Sequence, residues 1–265
     1  MTDNTKATYA VSNHIATITL NDPKSLNALG TELSIDMLAA IDQAEADDSV
    51  RVIILQGSHG NFSSGGHIKE MLSVGMEPEA LSAKLEAMVA GAGEISRRIR
   101  GLEKPIIAKL QGAVAGAGFN LALSCDFRVA SEDAKFIQSF IHIGLIPDAG
   151  GIYLLSKLIG SSKATEFAML GDTVTAQQAA DLNLLYKVVP LEQLDETAEK
   201  LAARLVQMPA TALATIKQMT NQVAISGLSR ALDMETQHQA MLAKTDDFKE
   251  GVTAFVEKRK PNYVK

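Results

Sequence analysis

The chain has 265 residues, 46% of them apolar and 21% charged, which suits a globular protein with an extensive core and excludes disordered and fibrous classes. Its 31 acidic and 25 basic side chains give a formal net charge of −6. No general attraction to a polyanion such as nucleic acid follows from that balance, so an anionic ligand has to be met by a local cluster. The single cysteine, Cys125, lies in the mostly apolar stretch Leu121 to Phe127 and reads as a small buried hydrophobe rather than part of a disulfide framework. The polar start, Met1 to Lys6, has no apolar segment behind it, and no apolar run reaches membrane-spanning length, so the expected location is cytoplasmic.

In chain order, Thr8 to Leu20 has a strand-like pattern interrupted at Ala10, His14 and Thr17 and broken by Asn21-Asp22-Pro23, which predicts a hairpin near the surface. Thr31 is placed to cap a helix carrying Leu33, Met37, Leu38 and Ile41 on one face and ending near Asp48. Val52 to Leu55 and Pro105 to Leu110 read as buried strands; each runs into Gln-Gly, a glycine-rich loop and a helical pattern, one supersecondary unit used at least twice. Met76-Glu77-Pro78 separates a short helix from a longer one over roughly Glu79 to Arg100. Beyond Val188-Val189-Pro190 glycine becomes scarce. Helical patterns then cover Leu191 to Gln207, Ala210 to Ala224, Leu228 to Ala243 and Phe248 to Lys258. The reading is an α/β core over residues 1–190 followed by an α-helical portion over 191–265.

Three glycine-rich segments carry the candidate chemistry. Phe62-Ser63-Ser64-Gly65-Gly66-His67-Ile68-Lys69 lies between a strand and a helix beginning near His67, where backbone N–H groups have no intrahelical partner. Gly112 to Leu121 repeats the arrangement, with small residues that let a ligand approach the main chain. Two donors from two such turns can converge on one oxygen. A dinucleotide fingerprint competes for Gly116-Ala117-Gly118, with Glu132 downstream, but Leu121 occupies the place of the third glycine. The third segment, Ile146-Pro147-Asp148-Ala149-Gly150-Gly151, closes into a helix, and its carboxylate is either an N-cap or a working group.

These segments resemble, in order and spacing, the crotonase (enoyl-CoA hydratase/isomerase) superfamily. Pro23-Lys24-Ser25-Leu26-Asn27-Ala28 and the ending Phe255-Val256-Glu257-Lys258-Arg259-Lys260 extend the likeness over nearly the whole chain. The resemblance implies a right-handed ββα spiral with a helical C-terminal trimerisation portion, assembled as a homotrimer or dimer of trimers. It implies an acyl-CoA thioester substrate, with CoA as part of the substrate and no separate cofactor. It places an oxyanion hole on the backbone N–H groups of Gly66 and Ala117. CoA contacts would fall on Lys24, Leu26 and Ala28, on Ser64, Gly66, Ile68 and Lys69, and on Phe255 and Lys258.

Hydratases of the family split water with two glutamates, whose positions here are Asn120 and Phe140. Neither side chain exchanges a proton near neutral pH. Asp148 remains, where isomerases of the family carry a carboxylate, and one carboxylate suffices to move a proton. A double-bond isomerase is therefore expected, with Asp148 as base and Asn120 as an uncharged hydrogen-bonder to substrate or water. The Gly-Leu-Ile-Pro-Asp turn and the Lys-Arg ending look most like the phenylacetate-degradation isomerases. A hydratase or acyl-CoA hydrolase in which Asp148 activates water is the alternative, and a non-catalytic acyl-CoA-binding member a second. His67 replaces the family's usual acidic residue and reads as locally satisfied. The other histidines show no ligand spacing, so no metal site is expected. The basic cluster Lys258-Arg259-Lys260 follows the acid Glu257 and gives little support for RNA binding.

Overall fold

A computed structural model describes residues 5–264; the first four residues of the polar N-terminal stretch and Lys265 lie outside it. The strands are β1 (Ala7–Ser12), β2 (Ile15–Leu20), β3 (Val52–Gly57), β4 (Ile106–Leu110), β5 (Ala113–Ala115), β6 (Phe127–Ser131), β7 (Lys135–Ile137), β8 (Val174–Thr175) and β9 (Lys187–Val189). The helices are α1 (Thr31–Ala46), α2 (Ile68–Met71), α3 (Pro78–Gly101), α4 (Gly116–Ser124), α5 (Gly151–Ile159), α6 (Ser161–Leu170), α7 (Ala176–Asp181), α8 (Leu194–Val206), α9 (Ala210–Ala224), α10 (Leu228–Leu242) and α11 (Asp246–Glu257).

The expected hairpin is β1–β2, closed by Asn13 and His14 at φ 51° and 66°, the two-residue turn whose twist matches the flanking strands. From β2 the sheet continues in parallel pairs, in the order β1-β2-β3-β4-β6-β9. A second sheet has the order β5-β7-β8, and Ser63 bridges Val114 at its edge. Two passages of the chain lay a strand in the first sheet, a short one in the second, then a helix: β4, β5 and α4 are one such turn, and β6, β7 and α5 the next. The repeated unit expected from the sequence is this spiral.

The apolar runs of β3 and β4 are buried on both faces, as parallel strands require. Ile53 and Leu55 face the main core with α1, α3 and α4, whereas Val52 and Ile54 face α8 through Leu194, Leu201 and Leu205. The helical portion beginning at Leu191 is thus packed directly on the sheet. Farther on, α10 lies along α3, with Leu232 against Gly93.

The cap expected at Thr31 is corrected. Gly30 is the N-cap of α1, with no side-chain cap from within the helix. The Thr31 N–H instead donates to the Glu70 carboxylate at 3.0 Å, and Lys84 neutralises that carboxylate at 2.7 Å. An acid at a helix N-terminus serves the orphan amides and the dipole together; this one comes from 39 residues away.

Candidate active site

The first two glycine-rich turns are held in register. Ser63 donates its N–H to Ala113 O at 3.0 Å and accepts from Ala115 N–H at 2.9 Å. With Ser63 opposite Val114, equal steps along both chains reach Gly65 and Gly116, at φ 97° and 49°, conformations glycine adopts without strain. One step further stand Gly66 and Ala117. The N–H of Gly66 lies between two used groups, since Gly65 O accepts from Leu29 and His67 N–H donates to Leu29 O. Ala117 is in the first turn of α4, where amides have no intrahelical acceptor. Among the described residues neither the Gly66 nor the Ala117 N–H meets an acceptor.

Asn27 secures the first turn from beneath. Fully buried, its amide donates to the carbonyls of Ser58, Asn61 and Phe62 at 3.0–3.3 Å and accepts from Asp22 N–H at 2.9 Å.

A cavity of about 160 Å³ opens over these turns. Its walls are apolar, from Leu85, Met88, Val89 and Ala92 of α3 and from Phe140, Ile143 and Leu145 opposite; Gly66, Gly116 and Ala117 form another part of its lining, and the one acidic lining residue is Asp148.

The turn carrying Asp148 is gripped at successive residues by buried side chains. Gln239 donates to Ile146 O at 2.6 Å, Asn120 to Asp148 O at 2.8 Å and Ser96 to Ala149 O at 2.9 Å, while Gly150 N–H donates to Glu235 at 2.8 Å. These bonds hold Ala149 and Gly150 in consecutive left-handed conformations, φ 50° and 86°, a strained pairing for a residue with a Cβ. The helix then starts at Gly151 with Gly150 as an N-cap that has no side-chain bond. Asp148 is therefore not an N-cap.

Freed from capping, the Asp148 side chain is 6% exposed, and its Oδ1 is buried without a hydrogen-bond partner among the described residues. Burial pushes its carboxyl up to about 7, against a small opposing effect of the Gln239 amide.

Glu235 is a buried acidic neighbour of the Asp148 turn that the sequence reading missed. It projects from α10, is 6% exposed, and leaves Oε1 without a partner. Burial pushes it up to about 8, opposed by the Gly150 N–H and reinforced by the Asp148 charge. A signal for it existed: Leu228, Leu232, Glu235 and Gln239 form one buried stripe of α10, and an acid within an apolar stripe is out of place.

These two raised carboxyls fix the sign of a stability change. Between the unfolded values near 4 and the folded values near 7 and 8, the native state holds protons that the unfolded chain has released. Stability is then fully present below about pH 4 and falls as pH rises through about 8, by on the order of several kcal/mol if both groups ionise in place. Urea unfolding at pH 6 and pH 9 should show the lower midpoint at pH 9; an unchanged midpoint would contradict these environments.

The other expected residues divide. Ser64, Gly66, Ile68 and Phe255 line the cavity with Ala117 and Asp148. Lys24, Leu26, Lys69 and Lys258 are exposed and outside its lining, and Ala28 is buried. Asn120 departs from its expected role. It is fully buried and not part of the lining, with its amide on Asp148 O and its Oδ1 accepting from Gln138 at 2.6 Å. It holds the Asp148 turn rather than reaching into the cavity. His67 caps α2, accepting from Glu70 N–H at 3.1 Å. Cys125 is buried at 1% exposure, and burial pushes its thiol up to about 12. Among the described residues no helix is long and apolar enough to cross a membrane.

Comparison with known proteins matches this arrangement to one family. The family description enoyl-CoA hydratase/isomerase fits residues 10–265. The chain is 37% identical to the trans-2-decenoyl-[acyl-carrier-protein] isomerase of Streptococcus mutans, with 96% of each chain covered. It is 34% identical to the 1,2-epoxyphenylacetyl-CoA isomerase of Escherichia coli, again with 96% of each covered. Among solved structures, an enoyl-CoA hydratase from Mycobacterium avium subsp. paratuberculosis superimposes with a TM-score of 0.88 at 32% identity, over 98% of this chain and 99% of that one. With its spiral of paired sheets and its two adjoining glycine turns, this chain belongs to the enoyl-CoA hydratase/isomerase family and has the crotonase fold.

Proposed function

We propose that the protein shifts the double bond of an enoyl thioester, with Asp148 as the single proton-transfer group and the Gly66 and Ala117 amides as the oxyanion hole. The observation that carries this reading is one buried carboxyl, raised to about 7, in a mostly apolar cavity that also exposes two unused amides. A group titrating at the working pH serves equally as base and as acid. The Asp148 carboxylate takes a proton from C2 of a 3-enoyl thioester, and the electron pair moves into the carbonyl to give a dienolate. Its oxygen is held by the two N–H donors. The Asp148 acid then gives the proton to C4, and the double bond ends between C2 and C3.

Water addition needs a second proton-transfer group, and the residues at the two hydratase positions, Asn120 and Phe140, supply none. CoA is the carrier we assign, with Ser64, Ile68 and Phe255 beside the thioester arm, and Lys24, Leu26, Ala28, Lys69 and Lys258 reached by the nucleotide end. The acyl carrier protein in the name of the Streptococcus relative makes the carrier part of the test. The working assembly is a homotrimer or dimer of trimers. Incubating 3-decenoyl-CoA and its acyl-carrier-protein counterpart should give the 2-enoyl product; in D₂O, C4 carries either the proton taken from C2 or, where the Asp148 acid exchanges with solvent before returning it, deuterium. Release of free thiol from 3-decenoyl-CoA, or a 3-hydroxy product from 2-decenoyl-CoA, without interconversion of the two isomers, would replace this reading by hydrolysis or hydration; CoA binding with no conversion of either isomer would leave a binding protein.

A further inference from the structure

We infer that Glu235 and Asp148 are electrostatically coupled through the one turn that Asp148 belongs to and Glu235 holds, and that Glu235 is the positioning residue that sets the pH range over which Asp148 is available as a base. The inference rests on the isomerase reading for its catalytic meaning, but its physical content stands on geometry alone. Both carboxyls are buried, and each has one oxygen without a partner. They are tied to the same three-residue turn: Asp148 is its first residue, and the N–H of Gly150 donates to Glu235 at 2.8 Å.

Among the described residues neither group has an ion pair. On α10 itself, Arg230, Asp233 and His238 are on the exposed side. From α3, Arg97 is engaged with Glu94 and Asp233. From α5, Lys157 lies over the Tyr153 ring, whose hydroxyl accepts from Gly227 N–H. His142, at the cavity, is exposed.

Two carboxylates in one low-dielectric site without a counter-charge cannot both ionise cheaply. Ionising Asp148 therefore keeps the proton on Glu235, and the protons leave in two steps that belong to the pair. Values near 7 and 8, the higher on Glu235 and raised in part by the Asp148 charge, agree with that order. In the singly charged state Glu235 still accepts from Gly150 N–H, so the turn stays in place while Asp148 works. In the doubly charged state the buried repulsion acts on the turn itself.

The test is a carboxyl ¹³C NMR titration of the full-length protein, wild type against Glu235→Gln, which keeps an acceptor for Gly150 N–H. The Asp148 signal should show two inflections in the wild type and one in the variant. In turnover of a 3-enoyl thioester, the alkaline limb, a fall of about tenfold per pH unit in the wild type, should be absent from the variant. Superimposable titrations of the two proteins would overturn the proposal. Should Glu235→Gln fail to fold, Asp148→Asn reports the coupling from the other side, because Glu235 should then titrate lower and in one step; an unchanged Glu235 titration would overturn it equally. The NMR arm needs no substrate, so a failure of the pairing is distinguishable from a failure of the isomerase reading.

Discussion

Asp148→Asn should lower kcat for a 3-enoyl thioester by roughly 10³-fold, within the range that a positioned general acid–base group contributes, and leave KM nearly unchanged. The substitution is isosteric, and Asp148 makes no cap whose loss would unfold α5. At pH 9 the variant should be more stable than the wild type, since it removes a buried group that is charged there. Direction and cause therefore separate: activity falls while the fold holds or gains. Initial rates by chromatography of the isomers, together with urea unfolding of both proteins, check the pair of outcomes. A variant that retained wild-type turnover would place the base elsewhere.

Ala117→Pro should cost about 10²–10³-fold in kcat, the loss found on removing one oxyanion donor, or about 3–4 kcal/mol. The residue is the second of α4, and proline is accepted in a helix's first turn because the missing N–H has no intrahelical role there. Gly116 before it already sits at φ 49°, outside the helical region that proline disfavours in its predecessor. What changes is one N–H at the cavity. Ala117→Gly, which keeps that N–H, should retain most of the activity. Equal losses from the two substitutions would point to packing rather than to the donor.

Much of this architecture was legible because it is written locally. The apolar runs at 52–55 and 105–110, the hairpin between Thr8 and Leu20 and the helical spacing after Leu191 depend on near neighbours, and they appear where the pattern puts them. The family motifs added the pairing of the two glycine turns, whose parallel register at Ser63 and Val114 no periodicity reveals. What escaped the sequence was decided over long separations. Thr31 looks like a cap until Glu70, 39 residues on, takes its N–H. Asp148 reads as either a cap or a working group until α5 starts three residues later, at Gly151, and removes the cap. Asn120 looks free to meet a ligand until Gln138 and the Asp148 carbonyl occupy both ends of its amide. Glu235 is 85 residues from the amide it accepts from, and only the folded chain puts that acid beside the turn.

Half of the clamp on the Ile146–Gly150 turn comes from Ser96 and Asn120, made before it, and half from Glu235 and Gln239 of α10, made long after it. A nascent chain stalled before α10, or a protein cleaved between α9 and α10 with loss of the distal fragment, would keep the glycine turns and the Asp148 carboxyl but lose two of the four bonds that hold the Asp148 turn. That turn therefore reaches its full set of bonds late in biosynthesis.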